Sequence, residues 1–133
     1  MPRKLYTRLI TSEDILTNFG YNLEEIVNQG AFPSKSLAVE AWLDEACESI
    51  NSLILEKRGF LFVEKLNAFL NIEANKDDGI YSAIYWAQMY EMRFFIDNGR
   101  FESVGKIDPL RKKHDEQAIN ILYTYGIIKD GVM

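Results

Sequence analysis

Residues 81–99, YSAIYWAQMYEMRFFIDNG, form a segment that is apolar around almost its whole circumference when wound as a helix. At helical spacing Ile80, Ala83, Ile84, Ala87 and Phe94 make one stripe, and Tyr81, Tyr85, Met92, Phe95 and Ile96 make a second. A surface helix of a globular protein needs only one such stripe. This element therefore lies at the centre of a core or is shared with a neighbouring chain. In a sequence of 133 residues, the second option predicts a protein that works by packing against other copies.

The length fits one domain with at most a short tail. A chain of this size buries roughly two-thirds of its unfolded surface, enough for a core without covalent staples. With 47% hydrophobic and 13% aromatic residues, it is not a wholly disordered chain. The single cysteine, Cys47, excludes an internal disulfide framework and fits a reducing compartment. The sequence contains no uncharged apolar run long enough for a membrane span, and its opening, MPRKLYTRLI, lacks a secretory signal pattern. The formal net charge of −5 gives no non-specific attraction to duplex DNA, itself a polyanion. That argues against gripping DNA but not against letting DNA pass.

Stop signals set out an all-α chain. Thr11 with Asp14 predicts an N-capped helix through Phe19, closed by Gly20. Asn22 caps a second short helix over 23–29, ended by Gly30. Residues 30–36, with Pro33 and two serines, form a loop leading into a long helix over 37–57 that stops at Gly59. Residues 60–73 fit a short helix or an extended apolar segment equally well, and 75–79 is a turn-rich break. The central helix ends at Asn98-Gly99, followed by an exposed loop over 100–107. Asp108-Pro109 predicts the start of a last helix running to Tyr125 and stopped by Gly126. The expected architecture is a bundle of four to five helices over 1–126, with a tail, IIKDGVM, over 127–133.

The helix over 37–57 is two-faced. Val39, Trp42, Leu43, Ala46, Ile50, Leu53 and Ile54 share one side, while Glu40, Asp44, Glu48 and Asn51 share the other. Spacing of i, i+4, i+8 stacks the three carboxylates, a pattern that suits a divalent cation. It suits a plain solvated face better, because helix-bundle metal sites also need a Glu-x-x-His pairing that this sequence lacks. Five acidic and no basic residues between Ser36 and Lys57 also suit a ring lumen or a basic neighbour.

His114, the only histidine, falls on the flank of the last helix's apolar face, where packing or a subunit contact explains it better than general-base chemistry. Cys47 sits at the edge of an apolar face, as small buried cysteines do. The chain contains no nucleophile-elbow serine, no phosphate-binding glycine loop and no Cys/His metal spacing. The reading is a non-enzyme that needs no cofactor. Of two basic clusters, one lies in the opening segment (Arg3, Lys4, Arg8). The other, Arg111-Lys112-Lys113, occupies the first turns of the last helix, the unfavourable end for cations. Both read as ordinary solvated charge or as contacts for an acidic partner such as another subunit.

In layout the chain resembles the small α-helical head–tail connector (adaptor) proteins of tailed bacteriophages. LITSEDILTNFGYNLEE, residues 9–25, is similar to their capped helix followed by a second short one. AWLDEACESINSLI, residues 41–54, is similar to their helix of small and aliphatic residues. AIYWAQMYEMRFFIDNG, residues 83–99, with the following FESVG, resembles their aromatic helix ending at Asn-Gly before a serine- and glycine-bearing loop. DPLRKKHDEQAINILYTYGIIKDGV resembles their closing helix, which leads through Gly-hydrophobic-hydrophobic into a short tail. Residues 60–78 carry no resemblance.

The resemblance implies a virion neck protein, present in the host cytoplasm during assembly. It would be a homo-oligomeric ring, dodecameric in this family, beneath the portal protein and above a stopper or tail-completion protein. Genome DNA would pass through the lumen without sequence-specific contact. It implies that the terminal segment, with Ile127, Ile128, Lys129, Val132 and Met133, docks on the portal, and that the free chain is monomeric or weakly associated and forms a ring only on a portal. Interfaces favour aromatic residues, Met and Arg, so Tyr85, Met89, Met92, Arg93, the loop residue Phe101, and Arg111 and Lys112 are candidate subunit contacts; the alternative is that the helical ones fill the chain's own core. Two other classes stay open. One is a small helical DNA-binding regulator that reads with residues 110–125. The other is a metal-binding bundle built on Glu40, Asp44, Glu48 and His114.

Overall fold

The computed structural model describes residues 6–98 and 114–129. The expected loop over 100–107, the Asp108-Pro109 helix start, Phe101, Arg111, Lys112, Val132 and Met133 lie outside these residues. All regular elements among the described residues are helices: α1 (Ser12–Phe19), α2 (Leu23–Ile26), α3 (Lys35–Arg58), α4 (Phe60–Leu70), a 3₁₀ turn (Glu73–Asn75), α5 (Gly79–Asp97) and α6 (Glu116–Thr124). The fold is all-α.

Local chemistry explains most of the boundaries. The Thr11 hydroxyl accepts from Asp14 N at 3.2 Å while the Asp14 carboxylate accepts from Thr11 N at 2.9 Å. This reciprocal box satisfies two backbone donors that the first turn leaves without partners. Asn22, Ser34, Asp78 and Asp115 cap α2, α3, α5 and α6 more simply, each with a side-chain oxygen that accepts from a backbone N–H of the first turn. Gly59 both ends α3 and begins α4, at φ 87° and ψ 171°. That conformation is open almost only to glycine, so the chain turns from one helix into the next through a single residue. The segment that fitted helix or strand equally is therefore helical.

Helix α5 lies against α3, α6 and α1, and this resolves its two apolar stripes. It runs antiparallel to α3 through two adjoining cores. Met89, Met92 and Phe95 pack with Leu43, Ala46, Cys47, Ile10 and Ile15. Ala83, Ile84 and Ala87 pack with Ile50, Ile54, Val63, Leu66, Leu122 and Ile127. Each large side chain buried in this way contributes about 1.5–3 kcal/mol. All seven predicted apolar residues of α3 are buried. The central helix is greasy all round because this chain's own helices surround it.

The last helix departs from expectation at its C-terminal end. Its described N-cap is Asp115, whose Oδ1 accepts from Gln117 N at 2.7 Å and Ala118 N at 3.3 Å. At the C-terminus Gly126 has φ 71°, Gly126 N donates to Tyr123 O at 3.0 Å, and Ile127 N donates to Leu122 O at 2.9 Å. This is a Schellman closure, in which the residue after the left-handed glycine packs back on the last turn. Ile127 and Ile128 are accordingly 2% and 1% exposed. The compact unit extends through Ile128, beyond the expected limit at Gly126.

Candidate functional site

The most polar buried cluster joins α3, α5 and the start of α6. Glu91 sits on α5 in the register of the core stripe and is 0% exposed. Its carboxylate accepts from Ser49 Oγ on α3 at 2.8 Å, from His114 Nδ1 at 2.5 Å and from Asp115 N at 3.1 Å. A carboxylate taken out of water is costly unless such donors replace its hydration, and here three converge on it. Two residues further along α5, the Arg93 guanidinium bonds Gln117 Oε1 of α6 and lies 4.9 Å from the Tyr90 ring centre and 5.2 Å from that of Phe19. Gly79 lies beneath the Tyr125 ring at the far end of the pair, so α6 returns antiparallel along α5.

Ser49, His114 and Glu91 have the composition of a nucleophilic triad but not its wiring. In a triad the carboxylate holds Nδ1 and the serine faces Nε2, which takes its proton. Here the Ser49 hydroxyl donates to Glu91 and lies 3.3 Å from the same Nδ1 that meets Glu91. No imidazole nitrogen opposite the carboxylate is presented to Ser49. What the arrangement does is fasten: three elements meet on one buried carboxylate, and the entry of α6 is fixed against α5.

A second polar device holds the segment before α1. The Gln88 side-chain amide, 2% exposed, accepts from Leu9 N at 2.9 Å and donates to Thr7 O at 2.8 Å. One side chain thus serves as a strand neighbour for an extended backbone. Between these atoms Arg8 reaches outward, 2.7 Å from Glu40 and 3.6 Å from Asp44. The acidic face of α3 therefore meets a cation from its own chain. Cys47 lies beneath, and burial pushes its thiol up to about 12, with the Leu9 and Ile10 amides only partly opposing this. The adjoining cavity, lined by Thr7, Cys47, Ile84 and Gln88 among others, has a volume of about 10 Å³, room for one water at most.

Met89 and Met92 are 0% exposed and fill this chain's core; as subunit contacts they are corrected, because nothing outside can reach them without opening the bundle. Tyr85 is half-buried, and burial together with the neighbouring Asp14 carboxylate of α1 raises its pKa to about 12. Arg93 is half-buried in the contacts described above. Ile127 and Ile128 are corrected as docking residues, since both belong to the core and Arg58 donates to the carbonyls of Gly126 and Ile127 at 3.0 Å each. Lys129 is exposed.

Glu40, Asp44, Glu48 and His114 are not brought together. Among the described residues no three His, Cys, Asp or Glu side chains are grouped to hold a metal ion, and no helix is long and apolar enough to cross a membrane.

Glu91 and Ser49 escaped the sequence reading. The available signal was a lone acid at the core register of an apolar helix, in step with Ile84, Ala87 and Phe95. Compared with protein-family models, with curated proteins and with solved structures, the chain finds no match.

Proposed function

We propose that the chain is a structural subunit of a tailed-bacteriophage neck, a head–tail connector that works by docking and self-association and carries out no catalysis. The reading rests on its resemblance to those proteins, and one structural observation carries it furthest. Helix α5 ends at Asn98, α6 returns antiparallel along it, and the chain closes through Gly126, Ile127 and Ile128. That is the order in which the resemblance places an aromatic helix, a loop and a closing helix. The Glu91 clamp gives the unit a mechanical purpose, because it fixes the entry of α6 against α5.

In this role the partners are further copies in a ring, a portal protein above, a stopper or tail-completion protein below, and genome DNA in transit through an acidic lumen. The net charge of −5 supports a lumen that DNA slides through, since each phosphate neutralised by a cation would add counterion-release affinity. Docking on the portal falls to the chain from Lys129 onward, because Ile127 and Ile128 are committed to the core.

The test is co-sedimentation of the full chain with purified portal rings, with negative-stain imaging of the complex. The expected result is a collar of added density on one end of the portal. A chain truncated after Ile128, which keeps the Schellman closure, is expected to lose retention. Absence of full-length chain from portal assemblies under all salt conditions tested would reject the reading.

A further inference from the structure

Buried aromatics on α5 leave open which surface joins one copy to the next, and the exposed apolar side chains answer it. They divide between the two ends of α3. At one end are Leu16 (49% exposed), Ile26 (39%), Phe32 (43%) and Leu37 (51%); at the other are Phe60 (52%) and Leu61 (73%), from which α4 folds back along α3. A helix of 24 residues is about 36 Å long. The two sets therefore cannot cover one another within a copy. Leu61 and Ala68, both exposed, follow one side of α4, while Val63, Leu66 and Leu70 bury its other side against α3, in a core shared with Ile84 of α5.

The charge around the two sets differs in sign. Beside Leu16, Ile26 and Phe32 stand Glu13, Asp14, Glu24 and Glu25 against Lys35, a balance of −3. Beside Phe60 and Leu61 stand Lys57, Arg58 and Lys65 against Glu56 and Glu64, a balance of +1.

We infer that the outward face of α4, centred on Phe60 and Leu61, is a docking surface for a second copy of this chain, seated on the α1–α2 end of that copy around Leu16, Ile26 and Leu37. Two unlike patches that fit each other make a heterologous contact, the kind that propagates into a ring or a filament, whereas a two-fold dimer would need a single self-complementary patch. Each patch offers only a few large apolar side chains, well short of the roughly 800 Å² per partner of a stable interface. The contact is therefore weak between free copies and closes when a scaffold raises their local concentration. The inference deepens the connector reading and rests on it for the scaffold, but the contact itself is tested without one.

Leu61→Cys and Leu37→Cys are made separately in the full chain, whose only native cysteine, Cys47, is buried. Both positions are exposed, and circular dichroism melts check that the fold is kept. The two proteins are treated at high concentration with a short bis-maleimide, alone and mixed. The expected result is a dimer in the mixture at least five times as abundant as in either protein alone, reduced to the single-variant level when Leu16→Glu is added to the Leu37→Cys chain.

Strong cross-linking of Leu61→Cys with itself would overturn the inference in favour of a two-fold contact. Equal, low yields in all three reactions would overturn it by showing that α4 does not seat on a second copy. Portal binding is read separately. Leu61→Glu is expected to retain single copies on the portal but not a closed collar, so loss of all retention would count against the connector reading while leaving the cross-linking result to stand by itself.

Discussion

Removing the imidazole of His114 tests the idea that the Glu91 cluster is a clamp. In His114→Ala the Glu91 carboxylate keeps Ser49 Oγ and Asp115 N but loses its shortest contact, at 2.5 Å. A hydrogen bond involving a charged group contributes about 1.5–3 kcal/mol, and an unsatisfied buried acceptor costs about 1–3 kcal/mol more. Glu91 is 0% exposed, so water cannot simply take the vacated place, and the expected loss is about 3 kcal/mol. For a domain between the sizes usually tabulated, each kcal/mol corresponds to about 4 °C, which predicts a fall in Tm of about 12 °C.

The informative variant is the double one. In His114→Ala/Glu91→Leu the buried charge is gone together with its lost partner. Ser49 can turn to another acceptor, and only the Asp115 N–H is left without its carboxylate. Replacing both members of a buried pair by apolar groups is far cheaper than removing one. Glu91→Leu should therefore rescue His114→Ala by about 1–2 kcal/mol. Urea unfolding at pH 7, followed by far-ultraviolet circular dichroism, reads all four corners of the cycle. If His114→Ala lies within about 0.5 kcal/mol of the parent, or the double variant is the less stable of the two, the clamp is not what holds α6 on α5.

Gly59→Ala should cost about 1–3 kcal/mol purely through its backbone conformation, because an added Cβ meets nothing within 4 Å; a loss below about 0.5 kcal/mol in the same urea assay would contradict that account. Truncation after Gly126 should lower Tm well below that of truncation after Ile128, since burying two isoleucines stabilises the chain by several kcal/mol; equal melting points would return Ile127 and Ile128 to the tail. The Cys47 thiol should resist iodoacetamide at pH 8 in the native chain and react on unfolding, as burial predicts. Its folded pKa, near 12, lies above the unfolded value of 9.0. The associated stability is thus fully present below pH 9 and is lost as pH rises from 9 to about 12, by roughly 1.4 kcal/mol per pH unit. Cys47→Ala should remove that part of the alkaline slope, and an unchanged slope would refute it.

Sequence patterns located what short-range physics decides. Thr11 with Asp14, Asn22 and Gly59 mark helix ends through bonds made within a turn of each other, and the apolar face of α3 follows from periodicity alone. Other features needed tertiary facts. FLFVEKLNAFL is apolar on both sides, which erases the period that would have identified α4, and only the core contacts of Val63, Leu66 and Leu70 pick the inner face. Glu91 looked like one charge in a greasy helix, since its three donors come from α3 and from the entry to α6. The position of Gly126 was legible, but its consequence was not: the two residues after it belong to the helix cap.

That last point changes how the resemblance should be weighed. Gly-hydrophobic-hydrophobic at 126–128 is what any helix closed by a Schellman turn against a core will show, and the Thr11–Asp14 box is what many capped helices will show. Such fragments recur for local reasons and carry little family information one by one. What local physics does not impose is their order around a central helix that consumes its own aromatics, or the separation of exposed apolar side chains to the two ends of α3. A monomer selected only for stability gains nothing from Leu61 at 73% exposure on a helix that already has an inner apolar face, and it incurs an aggregation hazard. In the proposed role, the apolar surface open to a second copy is on α4, in the stretch where the resemblance is silent, and not on α5, where it is strongest. A polar replacement at Leu61 should leave folding intact and abolish association, whereas the same change at Met92 should do the reverse and prevent folding. Should both changes behave alike, the division between core and contact surface drawn here is wrong.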